Sequence, residues 1–405
     1  MQRFLDFLDS DEVAIVQDGK GYTRRHLLEV AYGAAQQMRD KATQVELYSN
    51  GDIYVLPYLI GAHIAGKSAI VTSEFHVGPI KQAMQRAHKT MYFTGCGPMT
   101  KPPMDVVPGG NIGLLSSGTS GAPRLNYNVP LYYDDDLYEQ TQAWWDEKTG
   151  HDREWIYVTA PIATAAPVYL AMIALGYTVV CSTERQTTEE ISAWMPLCSG
   201  LSTRPSMLNR LIKEDADFGY GLNFVMSSTA DLTQKQVDYC VKRLHAKQVL
   251  DAYACTELGT VGLRDAAKGG GFDLLPGVNL LVDHEGEAFM WSPVGASTTG
   301  DIVSVREDGI HLVSKSKLKV SGFTIYPPLI AKCIVDAAGV EDAVVYMEDG
   351  VLTAEYTGTC YNEGDLRLIL MNNLPFYSVP SRLIHTTILR GRSSGNEYSV
   401  SNSDA

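Results

Sequence analysis

The chain has 405 residues, which is enough for two or more structural units with buried cores. Its hydrophobic fraction of 45% and its charged fraction of 20% are those of an ordinary globular protein. The formal net charge of -14, without a long run of Lys or Arg, argues against binding to duplex nucleic acid, because such binding depends on neutralising phosphates.

The first half of the sequence alternates helical and strand-like patterns. Helical spacing marks HLLEVAYGAAQQM (26–38), and residues 233–246 predict an amphipathic helix with its apolar side chains on one face. The strand-like segments read, in chain order, VELYS, SAIVTS, WIYVTAP, TVVCST, NFVMSS and QVLDAYA. Strands that alternate with helices predict an α/β fold built of packed layers.

From about Pro276 the pattern changes to β-hairpins, with Glu-Gly and Asp-Gly as the turns of segments 277–293 and 301–315. After Ser314 a shorter α+β pattern follows, so we place a domain boundary near Lys315. We therefore predict a large N-terminal domain of packed α/β sheet layers plus a β-rich segment (1–314). A small, mobile α+β domain is predicted for residues 315–405.

Several features bear on where the protein works. The seven cysteines form no CxxC pair, so neither a zinc site nor a disulfide framework is indicated. The N-terminal residues carry acids early and lack a long apolar core, unlike a secretory signal. The most apolar stretch, 168–180, is too short to span a bilayer as a helix. We expect a cytoplasmic protein with no membrane partner.

Two glycine-rich stretches are candidates for holding phosphate. The first, GAHIAGKS, matches the P-loop pattern with Gly61, Gly66, Lys67 and Ser68. A P-loop follows a strand and opens a helix, but here a helical pattern comes first and the β-branched AIV follows. We therefore interpret this stretch as a helix that turns into a strand at Gly66, not as the site of a P-loop NTPase.

The second stretch, LLSSGTSGAPRL (114–125), follows the strand-like IGLL. Its small residues leave backbone N–H groups free to converge on an anion, and its hydroxyls add donors. Arg124 adds a fixed positive charge that pairs with phosphate. Composition alone favours a polar surface turn.

This loop resembles the phosphate-loop signature of the adenylate-forming superfamily, which contains acyl-CoA synthetases, peptide-synthetase adenylation domains and firefly luciferase. Other landmarks of that family follow in the family's order. AYACTELG (252–259) is similar to its YGxTE segment, with Ala254 in the glycine position. The further similar segments are LPGVNLLVDHEGEAFMWSP, STTGDIVSVREDGIHLV, LKVSGFTIYP and LPFYSVPSRLI. Six motifs in order, spread over nearly the whole chain, make the resemblance specific.

The resemblance implies a role for each matching residue. Thr256 would contact the α-phosphate of ATP, and Glu257 would hold Mg²⁺, a hard ion suited to carboxylate oxygens. Asp301 would accept hydrogen bonds from both ribose hydroxyls, and Tyr253 would lie against the nucleotide or the acyl group. The residues that would flex around the β- and γ-phosphates are Ser116, Ser117, Gly118, Thr119, Ser120, Gly121 and Arg124.

Besides Ala254 in a glycine position and Arg124 in a lysine position, the sequence departs from the family at three further positions. Asn396 stands where the family has a lysine that bridges the carboxylate substrate and the α-phosphate, and asparagine cannot supply that charge. Val313 stands where an arginine contacts the ribose. Lys315 occupies the position of the hinge aspartate, and we count it with Thr256 and Glu257 as catalytic.

We therefore expect an adenylate-forming ligase that uses ATP and Mg²⁺ to activate a carboxylic acid and passes the acyl group to a thiol or an amine. Coenzyme A, a phosphopantetheine carrier protein and an amine all remain open as acceptors. The alternative is a non-catalytic or half-reaction relative that binds nucleotide or acyl-AMP. Pocket residues are expected between Pro161 and Tyr253, where no carboxylate is assigned to an amino-acid ammonium; this favours an aryl or aliphatic acid.

Overall fold

The computed structural model describes the chain in ranges. These are 1–39, 44–49, 51–72, 90–93, 98, 100–101, 112–116, 124–128, 134–150, 154–182, 186–228, 232–255, 258–284, 286–292, 295–315, 318–320, 323–325, 327–348, 350–387 and 398–401. The chain divides into two compact units. The first comprises Met1–Leu115, Leu125–Asn279 and Trp291–Ser297, and the second comprises Ser116–Arg124, Leu280–Met290 and Thr298–Ala405. That a mobile C-terminal domain begins at Lys315 stays a prediction.

The first unit contains two sheets. Its described strands are, in chain order, β1 (Val13–Gln17), β2 (Lys20–Thr23), β3 (Gln44–Tyr48), β4 (Ser68–Thr72), β5 (Thr90–Phe93), β6 (Ile112–Ser116), β7 (Arg124–Asn128), β8 (Trp155–Val158), β9 (Thr178–Cys181), β10 (Cys198–Thr203), β11 (Phe224–Ser228), β12 (Gln248–Cys255), β13 (Gly259–Asp265) and β14 (Asp273–Leu274). The nine-stranded sheet has the order β14-β13-β12-β11-β10-β8-β9-β1-β2, and the five-stranded sheet has the order β5-β3-β4-β6-β7.

Helices connect these strands. In chain order they are α1 (Gln2–Leu8), α2 (Arg24–Met38), α3 (Val55–Ile64), α4 (Asp135–Thr149), α5 (Ile162–Ala174), α6 (Thr188–Trp194), α7 (Pro205–Lys213) and α8 (Gln234–Lys242). Helices α2 and α8 confirm the two helices predicted from periodicity. Threonine side chains cap α2, α6 and α8 by accepting a hydrogen bond from the first turn, which explains where these helices begin.

The nine-stranded sheet has six neighbouring parallel strands, β12-β11-β10-β8-β9-β1, with antiparallel strands at both edges. Alternate side chains point to opposite faces of a strand. On β11, Phe224 and Met226 belong to one apolar core, and Val225 belongs to the other. The first core also takes in α1, α2, α3 and α5, whereas the second lies under α6, α7 and α8. The parallel strands are thus buried on both faces, as α/β sheets are.

The second unit has smaller sheets. Its described strands are β15 (Asn279–Val282), β16 (Glu287–Ser292), β17 (Gly295–Arg306), β18 (Gly309–Lys315), β19 (Leu318–Val320), β20 (Phe323–Ile325), β21 (Val340–Glu348), β22 (Val351–Gly358), β23 (Arg382–His385) and β24 (Tyr398–Ser401). Strands β15 to β18 form one sheet in sequence order, and β19 pairs with β20. The sheet β23-β22-β21-β24 packs with the helices α9 (Pro327–Val335) and α10 (Glu363–Asn373) around a third core.

The predicted fold class is therefore confirmed: a large α/β region of packed sheets, a hairpin segment and a small α+β region at the C-terminal end. Within the described ranges no two cysteines form a disulfide. Among the helices of those ranges, none is both long and apolar enough to cross a bilayer.

His63 on α3 makes the stability of the first unit depend on pH. Complete burial lowers the pKa of His63 from 6.5 to about 3. Since the pKa is lower in the folded chain, the unfolded chain takes up a proton first as the pH falls below 6.5. We expect unfolding to become easier by about 2 kcal/mol between pH 7.5 and pH 5 because of this group.

The measurement is denaturant unfolding at several pH values for the wild type and for His63→Leu, which should lose this part of the pH dependence. His245 is exposed and has a φ of 48°, which asparagine tolerates, so His245→Asn is the matched control and should keep the wild-type slope. Equal slopes for wild type and His63→Leu would show the prediction to be wrong.

Candidate functional site

The carboxyl ends of the parallel strands β8, β10, β11 and β12 lie side by side along one edge of the nine-stranded sheet. The register pairs Thr203 with Ser227, and Ser227 with Asp251, so one polar row crosses three strands. Thr159, directly after β8, donates its hydroxyl to Thr203 Oγ1 at 3.1 Å. Ligands of α/β sheets bind outside the carboxyl ends of the strands, so this edge is where a site is expected.

Within the described ranges, three residues near this edge have a buried polar atom without a hydrogen-bond partner: Ser227, Gln186 and Arg204. Ser227 is fully buried, and its Oγ has no hydrogen-bond partner within the described ranges. The same holds for Oε1 of Gln186, whose Nε2 donates to the Val158 carbonyl at 3.4 Å. Such groups are few in folded proteins, and their presence at a sheet edge is typical of a binding surface.

Tyr253 lies near the end of β12, where it is only 5% exposed. Its ring contacts Phe272, with 5.5 Å between the centroids. Two residues earlier, the buried Asp251 accepts two hydrogen bonds from Arg264 of β13, at 3.1 Å and 2.7 Å. The Arg264 guanidinium also lies over Phe272, 4.5 Å from the ring centroid. This chain of contacts fixes the position of Tyr253; its contact with a nucleotide or acyl group stays a prediction.

Thr256 and Glu257 lie outside the described residues, between Cys255 at the end of β12 and Leu258. Within the described ranges no three His, Cys, Asp or Glu side chains come together as a metal site. The roles of Thr256 in phosphate contact and of Glu257 in holding Mg²⁺ stay predictions.

The phosphate-loop candidate joins two neighbouring strands of the five-stranded sheet. Ser116 is the last residue of β6, which runs parallel to β4, and Arg124 is the first residue of β7. The loop therefore starts at the carboxyl end of a parallel strand, as a nucleotide loop does. The residues between the two strands, Ser117, Gly118, Thr119, Ser120 and Gly121 among them, lie outside the described residues.

Asp301 lies on the hairpin of β17 and β18, in the second unit. Its side chain is 4% exposed, and its register partner across the hairpin is Lys315. The hairpin thus places two predicted site positions, Asp301 and Lys315, opposite each other on neighbouring strands. Val313 lies two residues before Lys315 on the same strand, whereas Asn396 lies outside the described residues.

The P-loop match is part of a helix-to-strand turn, as predicted. Gly61 and His63 belong to α3, and Ser68 begins β4, so a helix precedes the match and a strand follows it. Gly66 has a φ of 67°, and the N–H of Lys67 donates to the Ala62 carbonyl at 2.8 Å. Such a left-handed glycine closes the end of a helix. A Cβ on Gly61 would lie 2.5 Å from the Ala31 carbonyl oxygen, so this glycine serves the packing of α2 against α3.

One residue at the sheet edge escaped the sequence analysis. Arg204 follows β10 directly and precedes α7, which begins at Pro205. It stands between the strand CSGLST and Pro205, and the sequence analysis assigned it no role.

No model of a known protein family matches the sequence, and no curated protein is similar enough to match. Solved structures, in contrast, match over nearly the whole chain. An amide bond synthetase from Marinactinospora thermotolerans gives a TM-score of 0.70 at 15% identity, covering 98% of this chain and 97% of that chain. A double mutant of o-succinylbenzoate CoA synthetase from Bacillus subtilis gives 0.71 at 12% identity, covering 97% and 96%.

A malonyl-CoA ligase with methylmalonyl-CoA and AMP bound gives a TM-score of 0.68 at 16% identity, covering 96% of this chain and 100% of that chain. At such low identities a likeness shows the fold alone. The chain has the fold of the adenylate-forming ligases, which is the fold that the resemblance implied.

The contacts around Tyr253 lead to a test of stability. Replacing Arg264 by glutamine removes the cation that pairs with the buried Asp251 carboxylate, and we expect unfolding to become easier by about 3 kcal/mol or more. Arg243 pairs with the exposed Asp215 and the half-exposed Asp217, so Arg243→Gln should cost about 1 kcal/mol or less. Denaturant unfolding of both variants measures the difference, and equal losses would contradict the role given to Arg264.

Proposed function

We propose that this protein uses ATP to convert a carboxylic acid into an acyl-adenylate and then transfers the acyl group to a thiol or an amine. The observation that supports this most is where the family's motifs fall on the fold. The phosphate-loop motif begins at Ser116, where the parallel strand β6 ends. The Thr256-Glu257 pair follows the end of β12, which is also a parallel strand. Both motifs therefore lie at strand ends of the kind at which α/β proteins hold nucleotides.

The proposed chemistry has two steps. A carboxylate oxygen of the acid attacks the α-phosphorus of ATP, and pyrophosphate leaves. The sulfur or nitrogen of the acceptor then attacks the carbonyl carbon of the acyl-adenylate, loses its proton, and AMP leaves. Splitting one difficult acyl transfer into two easier steps is the general logic of activated intermediates.

Asp301 supports the nucleotide half of the proposal. An ionised carboxylate only accepts hydrogen bonds, which suits the two hydroxyls of a ribose. Asp301 is held on a paired strand and is almost fully buried, so its position is fixed before a nucleotide arrives. A side chain that is already held in place loses less conformational entropy when a ligand binds than a side chain on a mobile loop does.

The donor set at Thr256 and Glu257 is chemically suited to Mg²⁺, which prefers carboxylate and phosphate oxygens. An ion held by Glu257 together with the phosphates of ATP would offset their negative charge. The hydroxyls and backbone N–H groups of the loop 116–121, together with Arg124, would hold the β- and γ-phosphates.

The second candidate function is binding of nucleotide or acyl-AMP without adenylation. Asn396 favours it, because the lysine that this position carries in the resembled family supplies a positive charge to the reacting groups. Val313 also stands in place of a cation, because the resembled family has at this position an arginine that contacts the ribose. A relative of this kind would take acyl-AMP from elsewhere and perform only the transfer step.

The experiment is pyrophosphate release from ATP and Mg²⁺ with a panel of aryl and aliphatic carboxylic acids. Hydroxylamine is present to trap any acyl-adenylate as a hydroxamate. We expect release that depends on one class of acid, with the matching hydroxamate as product. ATP binding without pyrophosphate release across the panel would contradict adenylation and favour the second candidate.

Three variants make this experiment specific. Asn396→Lys should raise the rate of adenylation if the missing charge limits that step, and it should leave ATP affinity nearly unchanged.

Asp301→Asn should weaken ATP binding about tenfold or more, because hydrogen bonds to a charged acceptor are the stronger ones. Asp308→Asn, in the exposed turn of the same hairpin, is its matched control and should bind ATP as the wild type does.

A further inference from the structure

A groove with a volume of about 500 Å³ runs between α1 and α2 in the first unit. All the residues that line it belong to the described part of the chain. One wall comes from residues 2–9, and the other comes from one stripe of α2, where the lining residues are spaced three and four apart. The N–H of Lys101 donates to the Glu29 carbonyl at 3.1 Å, which holds segment 100–101 beside α2. Sites for small molecules have volumes of this order.

The floor of the groove is apolar except for one phenol. Leu5 and Leu28 are buried, and Tyr32 is only 8% exposed. Within the described ranges the Tyr32 hydroxyl has no hydrogen-bond partner, and its oxygen is not sealed off from the groove. A buried tyrosine hydroxyl usually finds a partner. The base of the groove therefore offers a hydrogen-bonding position to a ligand.

Carboxylates lie close to this phenol. Burial raises the pKa of Tyr32, and the negative charges of Asp9 and Asp6 raise it further. A helical side chain points toward the N-terminal end of its own helix, and at that end of α2 Arg25 pairs with Asp9. The potential at the floor of the groove is therefore negative, which favours a cation there.

The charges along the groove leave the same sign in excess. Arg25 is shared between Asp9 and Asp11, which lies just beyond the lining. Asp6 accepts a hydrogen bond at 2.7 Å from the Gln2 amide, which carries no charge.

Two further charged residues stand at the rim, where both are exposed: Glu29 and Lys101. The lining thus holds three carboxylates and two cations, and one of the cations is already paired with two acids.

We propose that this groove binds a small organic cation, an alkylammonium group with a short apolar stem. An ammonium group has three donors and no acceptor. These suit two carboxylates, Asp6 and Glu29, and the oxygen of the Tyr32 hydroxyl. The stem would cover the apolar floor formed by Leu5 and Leu28.

The groove is separate from the edge that holds the candidate site. Asp9 lies four residues before Val13, the first residue of β1, and β1 runs parallel to β9. The Asp9 end of the groove is therefore near the amino end of a parallel strand, whereas the candidate site lies at carboxyl ends. The inference is independent of the proposed function, and the cation would act as an effector and not as a competitor of ATP or the acid.

The test measures binding to the full chain, without ATP, by calorimetry and saturation-transfer NMR. Hexylamine is the probe, and 1-hexanol and hexanoate are its neutral and anionic matches. We expect hexylamine to bind at one site, and each of the other two to bind at least about tenfold more weakly. Equal binding of 1-hexanol, or tighter binding of hexanoate, would overturn the inference.

Four variants locate the bound amine. Tyr32→Phe and Glu29→Gln should each weaken hexylamine binding by about threefold or more, because each removes an acceptor. Lys101→Gln should strengthen it, because a like charge is removed from the rim. Glu189→Gln, at an exposed position in the first turn of α6, is the matched control and should bind hexylamine as the wild type does.

Hexylamine binding that is unchanged in both Tyr32→Phe and Glu29→Gln would place the amine elsewhere, for instance at an acceptor site, and would overturn the inference. Thermal unfolding without ligand gives a second readout. Tyr32→Phe should keep the melting temperature of the wild type, and a clear decrease would show that the hydroxyl has a structural partner. Glu29 is exposed, so Glu29→Gln should fold, and it decides the outcome if Tyr32→Phe does not fold.

Discussion

Burial of the parallel strands on both faces is the constraint on which the rest of the first unit depends. Five of the six parallel strands send alternate side chains into two separate apolar cores, so none of these five can slip by one residue without turning its apolar set the wrong way. Strand β10 adds Cys198 and Leu201 to the second core. A fixed register fixes the positions of the strand ends. The residues that follow β8, β10, β11 and β12 therefore form one edge whose geometry is set by the cores beneath it.

That edge is polar, and only some of its polar groups have hydrogen-bond partners within the described ranges. Thr159 and Thr203 satisfy each other, and Asp251 is satisfied by Arg264. Ser227 and Arg204 have polar atoms without partners in the described part of the chain. An unsatisfied buried polar atom lowers stability, so proteins retain such atoms mainly where they serve binding or catalysis.

Local patterns in the sequence were enough to predict the layers of the fold. Helical spacing over 26–38 and the strand-like runs on either side of α5 depend only on neighbouring residues, and both were confirmed. The order of helix and strand around Lys67 was also enough to reject the P-loop. The resemblance to the adenylate-forming superfamily then identified the candidate site residues and implied the fold. Solved structures at 12% to 16% identity have that fold.

The contacts of the candidate residues could not be predicted in the same way, because they depend on how neighbouring strands align. The pairing of Asp301 with Lys315 depends on the register of a hairpin, including an irregularity between Ile302 and Val303. The pairing of Asp251 with Arg264 depends on the antiparallel edge strand β13.

The central claim is that an acyl-adenylate forms, and an isotope experiment tests it most directly. The acid is labelled with ¹⁸O in the carboxylate that reacts and incubated with ATP, Mg²⁺ and hydroxylamine, and the nucleotide product is examined by mass spectrometry. If an acyl-adenylate forms and its carbonyl carbon is then attacked, AMP leaves with one ¹⁸O atom in its phosphate. Formation of ADP, or of AMP without the label, would contradict the claim.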